Sequence, residues 1–437
     1  MNEFLSLSPH WEPTEYGPEE IRQTSGSLCI AIKNQIVSRV YDDRAKSVRD
    51  TIRVSSYPLA VWLASSWWRL CREPTPEKPD TNWRLSHEMH GSGHGFLWPP
   101  LRFESDGETV TLLCTPSVAE SSEPIRYLTF CRESVPIGVF TKAIESFIQT
   151  VLARLEIVGI QNTQLHTLWR EVTLERSDSR TTAYRTLEAL LGFDPDDAPE
   201  SIISDLFHLS NDVGVAAVAE IAATRIGRDL SLILENIDQS IHCSGVSGNL
   251  ASVPKIDINR PDQQDHPPWK RGWSLARATR ATLGIKTMAP LSDQDLGDIL
   301  GMTKQDLTEG VSPLNGMPWS LAIREADGHQ IYFLFRGKRR EGRRFEAARW
   351  LVDLLSAPAC DRWLPVTGTK MARQKIQRSF AAELLAPIEG LKEFLGDNLT
   401  DEERVIDAGI HFGVSPLTIR SQLSNHGLIR PESVGIY

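Results

Sequence analysis

Cysteine is sparse in this chain and never clustered. Six residues, Cys29, Cys71, Cys114, Cys131, Cys243 and Cys360, are scattered without a Cys-x-x-Cys pair. That spacing excludes a cysteine-built zinc module and fits a reducing compartment better than a disulfide framework. Long apolar runs are missing too: nothing approaches the roughly eighteen residues that a membrane-spanning helix requires. The opening Met1 to Pro9 has neither the basic start nor the apolar core of a signal peptide, so a cytoplasmic protein without a membrane anchor is expected. Positive charge is in deficit, 47 Lys and Arg against 57 Asp and Glu for a net charge of −10. A surface broadly adapted to phosphate backbones is therefore not expected, although a local basic patch remains compatible with that total. There is no fixed-period repeat and no low-complexity tract. No Ser-His-Asp or Cys-His set is brought together by spacing.

With 437 residues, 41% hydrophobic and 24% charged, the chain has the composition of a soluble globular protein of two or three domains. The patterning reads as α+β. Residues 1–136 alternate in short strand-like runs, Leu28 to Ile32 and Thr109 to Leu113, with turns at Asp42-Asp43 and Asp106-Gly107. This predicts a mostly-β recognition domain. Set into it, Tyr57 to Leu70 reads as one helix opened by Pro58, with Trp62 and Trp67 on a broad apolar face that serves either as core or as a partner-binding stripe. Residues 137–250 switch to helical periodicity: Phe140, Ile144, Phe147, Val151 and Leu155, then Leu187, Leu190 and Leu191 before a turn at Gly192. A helical middle module is expected there, followed by a proline-rich linker at 251–268 and a C-terminal domain at 269–437.

Two constellations carry candidate chemistry. His87, His90 and His94 put three imidazoles within eight residues, a weak metal-site candidate because the interleaved glycines Gly91, Gly93 and Gly95 disfavour the helix that would align them. From Arg336 to Arg344 there are six cations in nine residues. Arg336, Lys338, Arg339, Arg340 and Arg343 are candidates for contact with nucleic-acid phosphates or an acidic protein partner, the simpler reading being a solvated loop.

The C-terminal region carries one specific signature. Ser379-Phe380-Ala381-Ala382-Glu383-Leu384-Leu385-Ala386-Pro387 follows, at some distance, a helix-like run opened by Arg344-Phe345. Upstream lie Trp269 to Ile285, which reads as a helix, and two strand-like runs, Trp319 to Arg324 and Gln330 to Phe335, separated by Asp327-Gly328. Downstream, Phe412-Gly413-Val414-Ser415 leads into Ile419 to Leu423, with Ser415 as the N-cap. From Trp269 onward the chain resembles the ImmA/IrrE-like metallopeptidases, a zincin-related family with a terminal helix-turn-helix-like element. The resemblance implies zinc ligands and a general base at Arg349, Trp350 and Asp353, and a third ligand at Gln374 or Ile376. A guanidinium cannot coordinate a cation and an indole cannot take up a proton, while catalytic zinc needs three protein ligands. Asp353 with the distant Glu346 or Glu383 does not supply them. The region therefore reads as a pseudo-metallopeptidase without catalytic residues or cofactor, its vacated site filled by Trp350 and an Arg349–Asp353 ion pair.

By resemblance, the expected role is regulation through a protein partner, in a stress, mobile-element or phage-defence setting. The alternatives are a hydrolase using a non-standard metal site, and a nucleic-acid-binding regulator acting through the basic run and the terminal helices.

Overall fold

The computed structural model describes residues 4–118, 123–225, 237, 245–254, 266–309, 318–325 and 328–430. The fold is mixed α/β, with a mostly-β N-terminal region and a helical C-terminal part. The chain divides into two compact units, Met1–Ile203 with Thr369–Met371, and Ser204–Gly368 with Ala372–Tyr437.

In the first unit the strands are β1 (Leu5–Trp11), β2 (Ser25–Ile32), β3 (Gln35–Ile36), β4 (Val40–Asp42), β5 (Ser47–Arg49), β6 (Ile52–Ser55), β7 (Leu101–Ser105), β8 (Thr109–Cys114), β9 (Ile125–Tyr127) and β10 (Cys131–Pro136). They form three small antiparallel sheets: β1, β2 and β3 with β6 beside β2; β10-β8-β7; and β5-β4-β9. Alternation decides the inward face, burying Leu28, Ile30 and Ile32 of β2 and Val110, Leu112 and Cys114 of β8. The two predicted turns form through aspartate: Asp42 accepts from the amides of Arg44 and Ala45, and Asp106 accepts from those of Glu108 and Thr109.

The helices of this unit are α1 (Glu19–Gln23), α2 (Ser56–Ser65), α3 (Trp67–Arg72), α4 (Thr81–His87), α5 (Ile137–Ile157), α6 (Gln164–Ser177) and α7 (Ser179–Leu191). The single helix expected over Tyr57 to Leu70 is broken at Ser66 into α2 and α3. Trp62 and Trp67 are core residues, the first tilted over Phe103 with ring centroids 5.9 Å apart and the second edge-on to Trp169 at 5.3 Å. No binding stripe results. Because Phe140, Ile144, Phe147, Val151 and Leu155 of α5 join the same core as the strands, these helices are not a body of their own. The expected middle module is thus divided, its boundary falling inside α8 (Glu200–Val213).

The second unit contains α9 (Val215–Ala223), β11 (Val246–Asn249), α10 (Pro268–Thr282), α11 (Asp293–Leu300), α12 (Lys304–Glu309), β12 (Ser320–Arg324), β13 (Gln330–Leu334), α13 (Arg340–Ser356), β14 (Trp363–Val366), α14 (Ala372–Leu385), α15 (Ile388–Leu395), α16 (Glu402–Phe412) and α17 (Pro416–Asn425). Its sheet has the antiparallel order β11-β13-β12-β14. The expected hairpin β12–β13 forms, with Leu321 opposite Leu334; of its predicted turn, Asp327 lies outside the described residues, as do 255–265 of the predicted linker. β11 was expected in the helical module and instead extends this sheet. Gly248 permits it, since a Cβ there would stand 2.5 Å from the Leu300 carbonyl oxygen and 2.6 Å from the Phe333 ring.

Gly248→Ala is accordingly expected to destabilise the protein by about 1–3 kcal/mol through overpacking. Chemical denaturation measures this, and an unchanged midpoint would mean that β11 does not lie against β13.

Candidate functional site

On helix α13 Arg349 and Asp353 lie one turn apart on one face, while Trp350, consecutive with Arg349, diverges from it by about 100° around the axis. Trp350 turns toward the sheet. Its ring lies 5.1 Å from Phe333 and 4.8 Å from Phe335, and its indole N–H donates to the Leu364 carbonyl of β14 at 3.0 Å. The expectation that it fills the vacated ligand pocket is therefore corrected: it fills the hydrophobic layer beneath the sheet.

Arg349 and Asp353, one turn apart, face α14. They do not form the expected direct ion pair. Asp353 accepts from Arg373 at 2.8 and 3.1 Å and from the Gln377 amide at 2.7 Å. Arg349 donates to the Thr367 carbonyl at 2.8 Å, to Gln377 Oε1 at 3.2 Å and to Gln374 Oε1. Gln377 thus bridges the two. The first residue past β14, Thr367, also donates its hydroxyl to Glu220 of α9 at 3.3 Å.

Gln374 makes a further contact that explains its burial. Its Oε1 accepts from the Thr367 amide at 3.0 Å while its Nε2 donates to the Pro365 carbonyl at 3.1 Å. A residue of a parallel neighbouring strand would engage the same two backbone groups. Gln377 adds a second donor to Pro365 O at 3.2 Å. β14 is an edge strand, and these side chains occupy the groups with which an added peptide strand would pair.

Burial, and next the neighbouring Arg378, push the Arg349 pKa down to about 9, so its guanidinium is still protonated at neutral pH. At Arg373 burial acts in the same direction, but the carboxylates of Asp353, Glu220 and Asp361 together outweigh it and the pKa is raised. Two cations are therefore held against Asp353 and Glu220 in a buried network whose two amides are hydrogen-bonded through both oxygen and nitrogen. This donor set does not fit a metal ion. Glu346 accepts from the Arg336 and Gly337 amides, and Glu383 from Arg277 and Gln422, so neither reaches into the network. Among the described residues no group of three or more His, Cys, Asp or Glu side chains is placed to hold a metal.

The other candidates are dispersed. His87 is buried, stacked on Trp83 at 4.3 Å, with Nδ1 on the Trp83 carbonyl and Nε2 on the Arg69 carbonyl. His90 and His94 are exposed. The three do not meet, because α4 ends at His87 and the glycines that follow send the chain away. The basic run is likewise split by its helix. Arg343 is buried over Phe335 and donates to the Leu307 and Asp306 carbonyls, which removes it from any phosphate-binding surface. Arg340 makes two bonds to Asp293, and Arg336 donates to the Pro318 carbonyl. Only Lys338 and Arg339 of the run are exposed without a described partner. The chain matches no protein-family model, no curated protein and no solved structure.

Asp293 begins α11, where it receives both Arg340 and Arg344. Burial alone would raise its pKa, but the two guanidiniums hold it below the ordinary carboxylate value. Its contribution is thus complete above the unfolded pKa near 4 and is lost as pH falls through the lower folded value. Asp293→Asn is expected to cost about 3–5 kcal/mol near neutral pH by leaving Arg344 buried without its anion, and to shrink the difference from the parent below about pH 3. Urea denaturation at several pH values checks both limbs; a pH-independent difference would contradict the assignment. Trp350→Ala is expected to lower stability by about 3–5 kcal/mol, measured in the same way. An unchanged midpoint would mean the indole is not in the core.

Proposed function

We propose that the second unit is a catalytically silent relative of the ImmA/IrrE-like metallopeptidases, and that the protein acts in regulation by binding a protein partner. The observation that carries this reading is the network of Arg349, Asp353, Gln374 and Gln377. At the positions where the resemblance calls for metal ligands, the available groups are cationic or already hydrogen-bonded, and they close the neighbouring strand edge as well. The opening helix α10, the hairpin β12–β13 followed directly by α13, and the terminal helix pair α16 and α17 come in the order that the resemblance implies and support the same reading. Regulation in a stress, mobile-element or phage-defence setting is what the resemblance implies for such a protein.

The direct test is metal analysis of the purified full chain after dialysis, with a parallel assay for peptide hydrolysis. The expected outcome is far less than about one zinc or manganese ion per chain, and no cleavage when either metal is supplied. Stoichiometric metal that survives dialysis, together with hydrolysis lost on chelation, would overturn the proposal.

A further inference from the structure

The terminal helices α16 and α17 bury one side and leave a distinctive surface on the other. Val405, Ala408, Phe412, Ile419 and Leu423 enter the core of the second unit. Ile406 and Ile410, one turn apart on α16, stay 40% and 75% exposed, and Leu417 in the first turn of α17 stays 48% exposed. The Glu402–Arg420 ion pair joins these positions into one surface, since Glu402 shares a helix face with Ile406 and Ile410, and Arg420 shares one with Leu417. Isolated exposed apolar residues are ordinary, but three large aliphatic side chains on one two-helix face are not.

Charge indicates what would cover them. From Asp401 to Asn425 there are four carboxylates and two guanidiniums. Arg420 is tied to Glu402, and Arg404 donates to the Phe394 carbonyl while lying over the Phe394 ring. Glu403 and Asp407 flank the isoleucines, exposed and with no ion-pair partner among the described residues. A duplex would meet uncompensated negative charge where phosphate contacts require cations. A second copy of the same face would bring like charges together.

The geometry points to the Ile406–Ile410–Leu417 face as the docking surface for a basic amphipathic helix of a protein partner. Its aliphatic anchors would cover the isoleucines while its lysines or arginines meet Glu403 and Asp407. This rests on the reading of the second unit as a protein-binding module and names the surface that it would use.

The test is fluorescence anisotropy of the full chain with a labelled, short helix-forming peptide bearing leucines at three- and four-residue spacing on one side and lysines elsewhere. Saturable binding is expected, weakening as salt rises from about 50 to about 300 mM. It is expected to fall at least about tenfold in Ile406→Glu/Ile410→Glu and in Leu417→Glu. These side chains are exposed, so both variants are expected to keep the parental thermal melt. Absence of binding, undiminished binding in both folded variants, or equal binding of a peptide with glutamate in place of lysine would overturn the inference. So would a dimer in sedimentation that the same variants dissolve, or displacement of the peptide by duplex DNA. Retained metal with hydrolysis would instead sink the silent-domain reading. A metal-free, inactive chain that ignores the peptide would sink this surface alone.

Discussion

A buried guanidinium must find acceptors for its N–H groups or it destabilises the fold by several kilocalories, and the second unit is arranged around one such group. Arg344, near the start of α13, donates to the Gly413 carbonyl at 2.9 Å, to the Leu291 carbonyl at 2.6 Å and to Asp293. One side chain thereby fixes the start of α11 and the end of α16 against α13. Gly413 suits this position twice over. Its φ of +65° closes α16 in the left-handed conformation, and a Cβ there would press within 3.1 Å of Arg344 Nε. The terminal helix pair is consequently anchored from its C-cap, which leaves its opposite side free.

The same helix α13 separates two kinds of interior. Toward the sheet it offers Trp350 to Phe333 and Phe335; toward α14 it offers Arg349 and Asp353 to glutamines and an arginine. The aromatic layer stabilises through burial. The polar layer contributes little net energy against its desolvation cost, but it is demanding in geometry, because its amides and guanidiniums must be aimed at particular partners. Gln374 and Gln377 fix α14 against β14 by hydrogen bonding to Pro365, and Gln374 also to Thr367, while their bonds to Arg349 and the Gln377 bond to Asp353 fix it against α13. Such a network keeps helices and edge strand in place without supplying an open coordination position.

Much of the architecture was legible in the residues. The β12–β13 hairpin, the helix opened by Arg344-Phe345, the Ser415 cap and the aspartate turns at Asp42 and Asp106 follow from local chemistry, because turn, cap and periodicity are decided within a few residues; the helix begins about a turn earlier than expected, at Arg340, inside the run read as a loop. The candidate site was legible as a frame only. Arg373, Gln374 and Gln377 have the spacing of one helix face, a signal that could have marked α14 as the partner of Arg349 and Asp353. Nothing local announces Glu220, Thr367 or Asp293, which arrive from distant segments. The basic run misled for a related reason: counting cations does not reveal that helix periodicity sends Arg343 and Arg344 inward.

The sequence by itself determined that two of the three positions of the resembled zinc motif, Arg349 and Trp350, carry side chains unable to bind or activate a metal, since that is a property of guanidinium and indole in any fold, and that Asp353 is left without the further ligands a metal needs. It also determined the alternation and helical spacing from which the elements form. Only the tertiary structure decided that Trp350 packs beneath the sheet, that Asp353 pairs with Arg373 and not with Arg349, and that β11 joins the C-terminal sheet. Only it left Ile406, Ile410 and Leu417 uncovered. Those outcomes depend on which distant groups meet a given helix face, and a contact between remote segments is set by the summed burial and hydrogen-bond satisfaction of the folded chain, which local patterning does not encode.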